Sequence, residues 1–305
     1  MIRRKLRLIC NDNMTINRQR APSSKVSREK KLGGHTNEAE YAALIGGSTI
    51  QGTGKGDVQD KTGKLHSVKS GKKWQVFLYR YDRIANSNYL SELSACLDAF
   101  TEDYERYVED RKKCIEEKYR LVDEYGKQAV SLMPNDAIKE KIGPNEYVAA
   151  KERLAKATQP VFHKLQDKPF LEQFLAEAIF NGDEVSFLAV KDCSTFRVFA
   201  RSDVLKVLTG ELSPANSRAG RTAKDYNVDG QKVLLRYKKG DKEKNIVEIE
   251  IRNDSKQHYR EARFNMYSKD FLAIMLGKEA GLSAIRYCEG VVLYGNAIQL
   301  FGGAL

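Results

Sequence analysis

The stretch Gly54–Tyr79, GKGDVQDKTGKLHSVKSGKKWQVFLY, decides how the chain is read. It reads as two short strands around a polar turn, followed by a third, apolar strand, WQVFLY. The turn signal is Asp60-Lys61-Thr62-Gly63, where glycine tolerates a positive φ. A hairpin centred on Gly63 sets Asp57 opposite Lys69, Val58 opposite Val68 and Gln59 opposite Ser67. Side chains alternate across a strand. Asp57, Ser67 and Lys69 therefore share one face, and Val58 and Val68 share the other. Local geometry alone gathers a carboxylate, a hydroxyl and an ammonium above an apolar floor. His66, by the same alternation, lies on the face away from Lys69.

Composition narrows the partners. Lys and Arg number 52 against 41 Asp and Glu, a net charge of +11 over 305 residues, which favours a polyanion. Ten of those cations and only two acids, Asp12 and Glu29, fall within residues 1–31. That segment reads as a mobile basic arm able to follow phosphates. The length allows one large domain or two small ones. Five dispersed cysteines, without a CxxC pair, exclude a sequence-evident zinc site and fit a reducing cytosol. No apolar run reaches 18 residues, so no membrane span is expected. The Gly-rich run GGSTIQGTGKG at 46–56 is not a phosphate loop, because Thr53 stands where the loop requires lysine. No G-x-S-x-G elbow is present for serine hydrolase chemistry.

Along the rest of the chain, Gly33-Gly34 breaks the arm from a short helix at 37–45 that carries Glu38 and Glu40 and stops at Gly46-Gly47. From Ser87 to Met133 apolar positions recur at steps of three and four. This predicts one long amphipathic helix, bent near Arg111-Lys112-Lys113 or projecting as a dimerisation arm. Helices are expected at 146–158, 169–180, 201–208 and 269–276. Hairpins are expected at 184–200, at 232–252 about Gly240-Asp241, and at 290–301 about Gly295-Asn296. The polar loop 213–227 offers Arg218, Arg221 and Lys224. The stretch RNDSKQHYREARFNMYSKD offers Arg252, Asn253, Arg260 and Arg263, side-chain types that contact phosphates and base edges.

An acid, about ten residues and then an x-Lys pair on the next strand resembles the core of the PD-(D/E)XK nucleases, the family of most type II restriction endonucleases. The resemblance spans Gly33–Tyr79. It implies an α/β (α+β) fold with a mixed central sheet flanked by helices, the long helix and added hairpins. It implies that Asp57 binds metal and that Lys69 is catalytic. Two positions depart from the pattern: Gly56 replaces the common Pro, and Ser67 replaces the usual Glu or Asp. Some restriction enzymes carry Ser-x-Lys and take the acid from elsewhere. The preceding helix offers Glu38, preferred here, or Glu40, and Asp82 is a minor candidate.

On this resemblance Mg²⁺, with Mn²⁺ able to substitute, is held by Asp57, Glu38 (or Glu40) and the Val68 carbonyl. Lys69 orients water and stabilises charge, and Ser67 holds a water or a phosphate oxygen. The expected organisation is a basic arm at 1–31, a catalytic core at 32–133, and a region at 134–305 that completes the fold and contacts DNA. The expected partners are double-stranded DNA, a second copy in a homodimer and a cognate DNA methyltransferase, in a prokaryotic cytoplasm. The alternatives are a non-catalytic basic DNA-binding protein and a DNA- or RNA-processing nuclease of the same fold.

Overall fold

The hairpin closes one step tighter than its glycine suggests. In the computed structural model, which describes residues 24–52, 54–132, 140–217, 232–252 and 260–302, Val58 pairs with His66 and Gln59 with Leu65. Asp60 N–H then bonds Lys64 O at 3.0 Å, leaving Lys61, Thr62 and Gly63 as the loop. Gly63 has φ +87, as the last residue of a three-residue loop requires. The Asp60 carboxylate fixes the turn by accepting from Thr62 N–H (2.8 Å), Thr62 Oγ1 (2.7 Å) and Lys64 N–H (3.0 Å). The pairing therefore slips by two residues from the expected register. A slip of two leaves every side chain on its expected face.

The molecule is a mixed α/β fold built on two sheets. The first has seven strands: β1 (Ser48–Thr49), β2 (Val58–Gln59), β3 (Leu65–Lys69), β5 (Val185–Asp192), β6 (Thr195–Ala200), β11 (Ala284–Cys288) and β12 (Val291–Tyr294). Their spatial order is β1-β2-β3-β5-β6-β12-β11. The β3–β5 and β6–β12 pairs are parallel and the rest antiparallel. The second sheet is antiparallel, in the order β4-β10-β9-β8-β7. It comprises β4 (Lys73–Tyr79), β7 (Ser213–Asn216), β8 (Lys232–Lys239), β9 (Lys242–Arg252) and β10 (Glu261–Tyr267). The stretches 32–133 and 134–305 thus contribute strands to both sheets.

The larger core lies between the sheets. It joins Leu188, Val190, Trp74, Val247, Ile249, Phe264 and Met266 to α6 (Glu146–Lys164), α7 (Lys168–Leu175), α8 (Arg201–Glu211) and α9 (Ser268–Met275). The far face of the seven-stranded sheet buries Val58, Val68, Phe187, Ala189 and Val198 under Tyr41, Ala42 and Ile45 of α1 (Ser24–Ile45) and under α10 (Ala297–Gly302). A third cluster, including Tyr107, Cys114, Leu121 and Tyr147, packs α4 (Tyr104–Tyr125) and α5 (Lys127–Leu132) against the start of α6.

Four expectations are corrected. Helix α1 runs through Gly33-Gly34 back to Ser24, because a helical glycine costs only about 1 kcal/mol relative to alanine. Residues 24–31 of the expected arm are therefore helical, and 1–23 lie outside the described residues. The long helical stretch is cut elsewhere than Arg111-Lys112-Lys113. Beyond a separate short helix, α2 (Tyr81–Ala85), the stretch opens with a 3₁₀ turn at Ser91–Leu93 and α3 (Ser94–Asp98), and Asp103 caps α4 by accepting from Arg106 N–H. Gly126, at φ +82, separates α4 from α5. The last hairpin turns at Glu289-Gly290, not Gly295-Asn296. Asn296 instead opens α10, its N–H bonded to the buried Asp203 carboxylate at 2.7 Å. Finally, part of the polar stretch assigned to base reading is β10, whose Ala262, Phe264 and Met266 alternate into the core.

Candidate functional site

Asp57 lies just beyond β2, where the ladder persists for one more step. Its N–H donates to His66 O (2.8 Å) and its C=O accepts from Ile50 N–H (3.0 Å). Gly56 is what allows this approach. A Cβ on residue 56 would stand 2.9 Å from Leu65 Cδ1, so glycine here serves close packing against β3. The missing Pro thus has a physical reason.

The side chain of Asp57 turns onto the face of the seven-stranded sheet that looks toward the second sheet. One oxygen, Oδ2, accepts three hydrogen bonds: from Val68 N–H at 2.7 Å, Ser67 Oγ at 3.1 Å and Lys69 Nζ at 3.1 Å. The Lys69 ammonium also donates to the Val68 carbonyl at 3.2 Å. Lys69 and Asp57 side chains are 18% and 21% exposed, so the pair is reachable from solvent. Ser67 is buried and serves only the carboxylate among its described contacts. Asp57, Ser67, Val68 and Lys69 are thus brought together, and a carboxylate oxygen and a main-chain carbonyl oxygen converge on one cation.

Neither helix acid joins them by a described contact. Glu38 lies on the sheet-facing stripe of α1, one turn before Tyr41 and Ala42, and pairs with His35 at 3.0 Å. Glu40 points off that stripe and is bound by Lys191, which also donates to Asn37 Oδ1 at 2.9 Å. Asn37 in turn reaches Ser70 Oγ at 3.0 Å, just past the end of β3. Asp82 is exposed at the start of α2. Among the described residues, no group of three or more His, Cys, Asp or Glu side chains is arranged to hold a metal ion.

The donors still suit Mg²⁺ in kind. That ion takes oxygen ligands, keeps several waters and is commonly held by one or two carboxylates. The Lys69 ammonium already bridges the two oxygens such an ion would use.

No protein-family model matches this chain, and no curated protein or solved structure is detectably similar to it.

Sequence reasoning missed Lys55. It is 8% exposed, and its ammonium donates to the carbonyls of Val76 and Ala178 (2.7 Å to the latter). Burial, then the Lys69 and Arg83 charges, push its pKa down to about 6, while Asp57 and Glu184 oppose that fall. The only hint in sequence is a lysine flanked by glycines, Gly54-Lys55-Gly56.

Also unforeseen was a polar chain on the opposite face. Asp60 Oδ2 meets His66 Nε2 at 3.2 Å, and Tyr41 Oη meets His66 Nδ1 at 2.9 Å. A carboxylate only accepts, so Nε2 carries the proton and Nδ1 accepts from the tyrosine. Burial opposes ionisation of Asp60, but hydrogen bonds from His66, Thr62 and Lys64 outweigh it and hold the carboxyl well below the usual range. Burial lowers the pKa of His66 against the opposing pull of Asp60.

Of the residues expected to touch DNA, Arg218, Arg221, Lys224 and Asn253 lie outside the described residues. The other three are held by acids. Arg252 pairs with Glu261 (3.5 Å) and Arg263 with Glu250. Arg260 pairs with Asp98 (3.1 Å) and Glu102 (3.6 Å) and lies over the Tyr81 ring. No helix of the described residues is long and apolar enough to cross a membrane.

Proposed function

We propose that this protein is a Mg²⁺-dependent nuclease of the restriction-endonuclease type, hydrolysing phosphodiester bonds of double-stranded DNA at a short sequence. The observation that carries the reading is the joint hold of Asp57 Oδ2 and the Val68 carbonyl on the Lys69 ammonium. An acid and an amine on neighbouring strands of a mixed sheet are part of the arrangement the resemblance implies. A net charge of +11 suits a phosphate backbone.

In this reading Asp57 and the Val68 carbonyl would hold the metal, and Glu38, or Glu40, would be the helix acid, although the apolar stripe of α1 covers the other face of the sheet. When bound, Mg²⁺ supplies an acidified water and neutralises phosphoryl charge. The chain's own residues do the rest. Ser67 and Val68 N–H fix the orientation of Asp57. Lys69, displaced from Asp57, offers its ammonium to the charge that develops on the phosphoryl oxygens. A palindromic site would call for two copies related by a two-fold axis. A methyltransferase partner and a prokaryotic cytoplasm belong to the same proposal.

Plasmid DNA with Mg²⁺ is the test. Discrete fragments are expected, lost with EDTA and lost in both Asp57→Ala and Lys69→Ala, while DNA binding is largely kept. Full cleavage by either variant refutes the assignment. The rival reading, a basic DNA-binding protein without catalysis, draws on the unassembled helix acids; it predicts salt-sensitive binding and no cutting.

A further inference from the structure

We infer that Lys55 is a positioning residue of the Asp57–Lys69 site, tying the segment that carries the acid to main-chain oxygens of the opposite wall. The functional part of this inference rests on the nuclease reading; the anchoring part does not.

Both acceptors of the Lys55 ammonium sit at backbone irregularities. Val76 is the residue passed over where β4 slips against β10: Phe77 pairs with Phe264 and Gln75 with Asn265, so Val76 has no partner in that ladder. Such a bulge withdraws a residue from the regular hydrogen bonding of its strand. Ala178 lies in a single π-helical turn, Ala176–Phe180, which ends at Asn181 in a left-handed conformation (φ 56). One ammonium therefore joins three separate pieces of chain: the segment before Asp57, the edge strand of the second sheet, and the π turn that leads toward β5. An aliphatic side chain would fill the same volume without the cost of burying a polar head.

The placement matters when the site is loaded. Lys69 must leave Asp57 Oδ2 and Val68 O for a divalent cation to take those oxygens. What then keeps Asp57 in place is its pair of bonds from Ser67 and Val68 and the attachment of its own segment two residues upstream. Lys55 is the side chain that makes that attachment. Residues that orient a metal ligand from behind commonly change metal affinity or activity by 10–100-fold when replaced.

The experiment compares wild type with Lys55→Met, using Mn²⁺ titration by calorimetry and, without metal, hydrogen exchange over residues 54–60. For K55M the expected result is an Mn²⁺ Kd raised about tenfold or more. Exchange over 54–60 should also rise about tenfold while that of 185–200 stays unchanged, a split that general loosening would not give. An Mn²⁺ Kd within threefold of wild type, with unchanged exchange over 54–60, overturns the inference. Should K55M fail to fold, Lys55→Arg decides. Protected 54–60 amides with an Mn²⁺ Kd within threefold support the inference, and wild-type Mn²⁺ binding with exposed 54–60 amides overturns it. A wild type that binds no Mn²⁺ refutes the nuclease reading; the exchange comparison then decides the anchoring by itself.

Discussion

Replacing Asp57 by alanine tests the site geometry without reference to any activity. The substitution strips the acceptor from a main-chain N–H and a hydroxyl that are both buried, Val68 being 7% and Ser67 1% exposed. An unpaired buried N–H costs about 1–3 kcal/mol, and the lost serine bond adds about 1 kcal/mol. The Lys69 pair is partly solvated and contributes at most about 1 kcal/mol. The expected loss is therefore about 3 kcal/mol, or roughly 6 °C in Tm for a chain of this size. Asp57→Asn retains one carbonyl oxygen for Val68 N–H and should lose about half as much. Trp74, the only tryptophan and 3% exposed, reports the transition by fluorescence in urea. If Asp57→Ala unfolds within about 0.5 kcal/mol of wild type, the threefold acceptor role of Oδ2 is wrong, and with it the site as built here.

The acid limb of stability should have two steps. His66 has a folded pKa below 6.5, so its contribution is complete above 6.5 and is lost as pH falls through the folded value. Asp60 has a folded pKa below 3.8, so its contribution is complete above about 4 and is lost below it. In Asp60→Asn the second step should vanish while the first remains, since His66 then loses a partner that favoured its charge. Urea midpoints measured from pH 3 to 8 that run parallel for the two proteins would refute this. Gly47→Ala should cost about 1–3 kcal/mol, because the new Cβ would stand 2.4 Å from the Gln59 carbonyl oxygen. An unfolding midpoint equal to wild type would show that α1 and β2 are not held this closely.

What the sequence made legible followed from local rules. The face shared by Asp57, Ser67 and Lys69 depends on alternation alone, and so it survived a register error of two. The hairpins at 185–200 and 232–252 announced themselves through apolar alternation around a turn, and Gly46 capped α1 as expected. What escaped was set by tertiary contact. β4 reads as the strand continuing the Asp57 hairpin, yet it crosses to pair with β10, a choice no local pattern encodes. Asn296 looked like a turn until Asp203 captured its amide. Lys55 could not be read at all, since its burial depends on carbonyls presented by residues 76 and 178. The polar residues around Arg263 hid the alternation of Ala262, Phe264 and Met266 because the other face of β10 is lined with ion pairs.

That pairing of β4 with β10 has a consequence during synthesis. Tyr79 meets Ala262, and Lys73 meets Tyr267, across about 190 residues of intervening chain. The parallel partner of β3 comes about 120 residues after it. A ribosome working at about 5–20 residues per second would leave the apolar face of WQVFLY uncovered for roughly ten seconds or more before its neighbour emerged. The nascent chain is thus exposed to aggregation through its early strands, and a chaperone that shelters them during translation would raise the yield of native protein.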